Sequence, residues 1–215
     1  MSYKITMSSD THCNSLVKLF DGWSSQLLLL GGDFLCAGTA KEWYGKVIPE
    51  LIAIRGQFGR IACTFGNHDV YCQNSENLVR QELSEIGIDL LIDQEITIDG
   101  LRIYGSPWIP FINNSGWAYM HPELWDEEAY IRTWSKVPKG LDILLTHTPA
   151  EGILAGPWGD PFLGERIMEV KPKYHVAGHI HSQHGSFHTI HTKRYNVAIC
   201  DEANRPFWPV SEIEI

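Results

Sequence analysis

Long apolar runs are missing from this 215-residue chain: no uninterrupted apolar stretch exceeds four residues, as at Leu27–Leu30. A membrane-spanning helix needs about 20. The amino terminus, Met1-Ser2-Tyr3-Lys4-Ile5-Thr6, lacks the apolar core of a signal peptide and runs straight into a strand pattern. A soluble, cytoplasmic protein without a membrane partner is the expectation. Cysteine is scarce: Cys13, Cys36, Cys63, Cys72 and Cys200 are odd in number and far apart, which sets aside a disulfide framework and a zinc knuckle. Reduced thiols follow, with Cys13 and Cys36 read as small buried residues. Positive charge is short as well, 17 Lys+Arg against 26 Asp+Glu for a net charge of −9. That balance disfavours charge-driven binding to nucleic acid or anionic membrane, and no extended nucleic-acid groove is expected. An anionic substrate must then meet a local positive centre.

What is present fits a folded chain. At 44% hydrophobic and 20% charged residues, disorder is excluded, and no repeat or linker interrupts the sequence. At about 100–200 residues per domain, the length predicts one domain over residues 1–215. Strand-length apolar runs alternate with helical patterns through the first half, the mark of parallel β/α units. Strands are predicted at 3–7, 26–30, 60–65, 141–145 and 174–177. Thr39 and Glu42 have the spacing of a capping box opening a helix to about Ile54. Asn74-Ser75 would cap a helix over 76–86, and Asp99-Gly100 joins 95–98 to 101–104 as a hairpin. A helix near 122–134 would dock Trp125, Tyr130 and Trp134 onto the sheet. Residues 187–190 and 195–199 read as late antiparallel strands, and 156–161 as a loop in which Asp160 is a candidate contact.

The predicted strands end on polar residues of one kind: Asp10 with His12, Asp33, Asn67 with His68, His147, and His179 with His181. Ligands bind at that edge of open α/β sheets. Mixed imidazole and carboxylate donors suit Mn, Fe, Zn or Ni better than Mg or Ca. Gly32, Gly66 and Gly178 would let the chain turn sharply there without a Cβ in the way. Any one of these pairs alone is a common accident. His175 reads as a satisfied core residue, and His188 and His191 as solvent-facing.

In order and spacing, Asp10-Thr11-His12, Gly32-Asp33 with Gly38, Gly66-Asn67-His68-Asp69, His147 and Gly178-His179-Ile180-His181 resemble the five blocks of the calcineurin-like metallophosphoesterases. Gly31-Gly32-Asp33-Phe34, Gly105-Ser106-Pro107-Trp108, 142–149 and 172–176 further resemble the small metallophosphoesterase domain-containing branch. The resemblance implies a four-layer α-β-β-α sandwich with mixed sheets. It also implies two divalent transition-metal ions, Mn foremost, with Fe, Zn, Ni or Co as alternatives. Asp10, His12 and His181 would take one ion, Asn67, His147 and His179 the other, and Asp33 both. Such a pair serves in-line attack on a phosphoester by an activated water. By the same resemblance His68 is the general acid. Asp69, where the branch usually has Glu, would be its carboxylate partner.

The branch implies a phosphodiesterase acting on a small nucleotide-type diester, cyclic nucleotides first. Trp108, Phe111 and Trp117 are candidates to stack on a base, and His184 to reach substrate. A phosphomonoesterase or protein phosphatase, a nuclease or nucleotide pyrophosphatase, and a catalytically silent scaffold are the alternatives.

Overall fold

Leu27 to Leu30 are all buried, which a strand achieves only when both of its faces are covered. In this computed structural model, which describes residues 2–112, 116–123 and 126–215, they belong to a sheet sandwiched between helices and a second sheet. Strands β1 (Lys4–Ser8), β2 (Ser25–Leu30), β3 (Phe58–Cys63) and β4 (Ile88–Leu90) run parallel in the first sheet. The second holds β5 (Gln94–Ile98), β6 (Leu101–Ser106), β7 (Ile143–Thr146), β8 (Tyr174–Ala177), β9 (Gly185–His188) and β10 (Lys193–Asn196), in the order β5-β6-β7-β8-β10-β9. In it β6, β7, β8 and β10 are parallel, and β5 and β9 are antiparallel edges. Strand β11 (Ser211–Glu214) returns antiparallel to β1 and makes the first sheet mixed too.

Alternation along each strand decides which layer a side chain enters. Leu27 and Leu29 meet Ile103, Ile143, Leu145 and Val176 between the sheets. Leu28 and Leu30 face outward onto α1 (Leu16–Leu19), the turn that follows α2 (Ala40–Glu42), α3 (Ile48–Ile54), α4 (Val70–Asn74) and α5 (Glu76–Glu85) through Leu16, Trp43, Leu51, Cys72, Val79 and Leu83. On the far side, α6 (Glu127–Trp134) and α7 (Pro161–Val170) cover Tyr104 and Leu144 with Tyr130, Trp134, Leu163 and Ile167. The result is the four-layer α-β-β-α order that the resemblance implies.

Local chemistry explains most boundaries. Thr39 and Glu42 form the reciprocal capping box, and the chain stays helical to Ile54 through a wider π turn at Trp43–Val47. Pro49, just past that turn, has no N–H for the Gly45 carbonyl. Asp99 and Gly100 both have positive φ, as the two-residue hairpin requires. Helix α6 starts at Glu127 under an Asp126 cap rather than at Pro122, and Trp125 lies outside the described residues. The stretch read as a loop around Asp160 continues into α7, with Asp160 as its cap and Pro161 in its first turn. Cys63, Cys72 and Cys200 are buried, Cys13 partly so, and Cys36 is exposed, against the expectation for it. Among the described residues no helix is long and apolar enough to cross a membrane.

Candidate metal centre

Three of the polar strand ends leave the first sheet, after β1, β2 and β3, and two leave the second, after β7 and β8. Ser9 bridges to Ala198 across the seam, and the Gly178 N–H donates to the His147 carbonyl, so the five ends meet in one place. The backbone is bent to achieve this. Asp10, His12, Asp33 and His179 all have φ between 42° and 66°, a conformation that L side chains rarely adopt. A Cβ on Gly66 would overlap the Asp33 carboxylate and the His147 ring, and one on Gly178 would overlap Asp10 and Ser9. Glycine at these two positions is therefore a condition of the ligands' convergence.

Among the described residues, three groups of donor atoms lie close enough to share an ion: Asp10, His12 and His181; His12, Asp33 and His68; and Asp33, His147 and His179. Asp33 Oδ2 is 3.4 Å from His147 Nε2 and 3.9 Å from His12 Nε2, between the outer two groups. Asn67 Oδ1 stands 3.1 Å from His147 Nε2. Asp10, His12, Asp33, Asn67 and His147 are buried, whereas His68, His179 and His181 are partly exposed at the rim.

Hydrogen bonding fixes the imidazole tautomers. The Nδ1 atoms of His12, His68, His147 and His181 lie 2.7–3.0 Å from the carbonyls of Leu35, Cys36, Gly31 and Asp201. A carbonyl only accepts, so each Nδ1 carries a proton and Nε2 is the ring atom left to face the centre. His12 Nε2 and His181 Nε2 face one another at 3.2 Å, and His147 Nε2 faces the Asn67 and Asp33 oxygens. These contacts hold only with positive charge among them, as ring protons or as a metal ion, and the donor set fits divalent transition metals.

The titration of the site carries the same sign. Burial opposes charge on His147, yet the neighbouring Asp33 carboxylate carries its pKa up to about 9. Burial likewise opposes charge on His181, where the hydrogen bond and charge of Asp10 raise the pKa to about 9. Burial would raise the pKa values of Asp10 and Asp33 but is outweighed, for Asp10 by the hydrogen bond to His181 and for Asp33 by the charge of His147, so both lie below the carboxylate range. Burial and the charge of His147 lower His179 to about 3. Protons on His147 and His181 thus stand where a metal's charge would.

Other expected roles change. Asp69 is wholly buried, and its two oxygens accept the backbone N–H groups of Asp33, Phe34, Leu35 and Gly66 at 2.9–3.0 Å. It ties the β2 and β3 turns together instead of holding the His68 ring, whose Nδ1 has the Cys36 carbonyl. Trp108 is half-buried: its indole donates to Asp93, and its ring packs on Tyr119 and His121. Trp117 lies against His68, ring centroids 4.4 Å apart, while His12 meets the same imidazole edge-on at 4.7 Å. Phe111 lines a neighbouring cleft. His184 gives its Nδ1 proton to the Ala198 carbonyl and stacks on Trp208, outside the three donor groups. Asp160 contacts α7 and Trp134 rather than the centre. His175, buried against Thr146, is the satisfied core histidine expected.

Sequence reasoning missed Trp208, whose indole N–H donates to the His181 carbonyl from 27 residues away. It also missed His121, buried and stacked on Tyr130 at 3.9 Å. Neither lies in a motif, and no local pattern marks them.

Comparison with known proteins agrees with this geometry. A family model described as calcineurin-like phosphoesterase matches residues 3–183. A UPF0046 protein of Caenorhabditis elegans is 27% identical over 219 residues, 94% of this chain and 71% of that protein. Metallophosphoesterase domain-containing protein 1 of Homo sapiens is 34% identical over 135 residues, but these span 58% of this chain and 39% of the human protein. A Thermus thermophilus protein, TT1561, shares the fold at a TM-score of 0.60 and 15% identity, over 91% of this chain and 89% of its own. With the family model spanning most of its length, the chain belongs to the calcineurin-like phosphoesterases.

Proposed function

We propose that this protein is a dinuclear-metal-dependent phosphodiesterase acting on a small nucleotide-type diester, with cyclic nucleotides the first substrates to test. The observation that carries it is the convergence of imidazole Nε2 atoms on Asp10 and Asp33. Asp10, His12 and His181 would hold one ion, Asn67, His147 and His179 the second, and Asp33 would serve both. Two divalent ions, when bound, supply the charge that clamps the attacking and leaving oxygens of an in-line displacement and make water more acidic.

The chain's own residues do the rest. Backbone N–H donation from His179 to Asp10 and from His68 to Asp33 fixes the two carboxylates at 2.8–3.1 Å. His68, clamped between His12 and Trp117 with Nδ1 on a carbonyl, presents Nε2 at the rim. When protonated, that Nε2 can donate to the departing oxygen. The −9 charge favours a small substrate over long nucleic acid. Mn is the proposed metal. The five free thiols suit a reducing, cytoplasmic setting, and residues 1–215 are read as one domain.

The test is turnover of bis-p-nitrophenyl phosphate against p-nitrophenyl phosphate in Mn²⁺, then a panel of cyclic mono- and oligonucleotides. The diester should be preferred and Asp33→Asn inactive. A preference for the monoester would make the protein a phosphomonoesterase. Purified protein free of transition metal, with Asp33→Asn as active as wild type, would end the enzyme reading altogether.

A further inference from the structure

A cleft of about 520 Å³ opens beside the centre, within the range of small-molecule sites. It shares His179 with the donor group of Asp33 and His147, so cleft and centre adjoin. Phe111, Tyr130, Trp158, Phe162 and Ile180 form its walls together with prolines. Among the described residues lining it there is no Asp, Glu, Lys or Arg. The walls are braced: Tyr130 Oη accepts the Phe111 N–H at 2.9 Å, the Tyr130 and Phe162 rings lie 5.2 Å apart, and Asp160 ties the start of α7 to the Trp134 indole. Trp158, 72% exposed, leaves a large aromatic face in water at the edge.

We propose that this cleft is the subsite for an uncharged planar aromatic group carried by the phosphoester. The proposal rests on the phosphodiesterase reading above, which puts the phosphoryl group at the centre. Four aromatic side chains with no charged partner recognise a ring by its faces, and stacking of that kind tolerates any base. With Tyr130, Trp158 and His179 the lining residues that carry side-chain hydrogen-bonding groups among those described, the cleft offers a base edge few partners and discriminates weakly among bases. The cleft therefore selects for the presence of a planar ring and against compact or charged alcohol groups.

Phosphonates test this without turnover, because their P–C bond is not hydrolysed. Calorimetric titration of Mn²⁺-loaded protein would compare ethylphosphonate, cyclohexylmethylphosphonate and benzylphosphonate. Benzylphosphonate should bind about tenfold tighter than ethylphosphonate, with the apolar but non-planar cyclohexyl compound between them. Phe162→Ala should narrow the benzyl-to-ethyl ratio at least about threefold. Trp158→Ala, which removes an exposed side chain and leaves the core intact, should narrow it in the same direction. The ratio is taken on one preparation, so loss of folded or metal-loaded protein leaves it unchanged. Equal binding of ethyl and benzyl compounds, cyclohexyl binding as tight as benzyl, no phosphonate binding, or a ratio untouched in both variants would overturn the proposal. Benzyl preference in a protein that hydrolyses no diester would keep the cleft and remove the phosphodiesterase reading; diester hydrolysis without benzyl preference would do the reverse.

Discussion

Asp69 binds backbone rather than the side chain next to it, since the ring of His68 has the Cys36 carbonyl. Its carboxylate closes two strand-end turns by accepting four backbone N–H groups, two on each oxygen. Asp69→Asn keeps one oxygen and turns an NH₂ toward the other two donors. The expected result is a loss of about 1–3 kcal/mol in urea unfolding of the metal-free protein, with the m-value unchanged. Gly66 makes the complementary demand, for absence of volume. Gly66→Ala would drive a methyl into Asp33 and His147, so metal affinity measured by calorimetry should fall about 10–100-fold or more. Unchanged affinity would mean that the β3 turn yields more readily than its packing indicates.

Helix α7 carries a pH dependence of its own. Asp160 caps it through the Leu163 N–H at 2.9 Å and accepts the Trp134 indole at 2.8 Å, yet burial still lifts its pKa to about 6 from the ordinary carboxylate value of 3.8. The folded state therefore holds this proton more tightly than the unfolded chain. Its contribution to stability is full below about pH 4 and is lost as pH rises through about 6. Asp160→Asn does not titrate. The stability difference between the two proteins should shift toward the Asn variant by about 2 kcal/mol from pH 4 to 7, read by urea unfolding at each pH. A flat difference would place the proton elsewhere.

At this scale the sequence was legible where one local rule governs an element. The capping box at Thr39, the Asp99-Gly100 turn and the two-sided apolar strand β2 all formed as predicted. Strands β4 and β11 escaped because three residues, or an alternating Ser-Glu-Ile-Glu segment at a sheet edge, carry little periodic signal. The start of α7 is written locally, as a capping Asp160 followed by Pro161 in the first turn, but the Gly and Pro residues just before it carry an equally strong loop signal. Site residues separated by strand order emerged because they occupy strand ends. The true partners of Asp69 and Trp117 depend on tertiary packing that spacing does not encode.

Across the whole molecule, the centre draws three turns from one sheet and two from the other, so an ion held there would tie the layers together. That arrangement has a kinetic consequence. The donor set is complete only once the two sheets have docked, so binding energy is gained after the folding barrier rather than at it. Mn²⁺ at about 100 times its dissociation constant should leave the refolding rate of the apo chain unchanged and slow unfolding about 100-fold. Stopped-flow refolding and unfolding with and without chelator measure both arms, and faster refolding in Mn²⁺ would mean that the metal recruits its ligands before the layers meet. On the predicted behaviour, the metal is a latch on a closed door: it governs how long the folded protein lasts, not how quickly it is made.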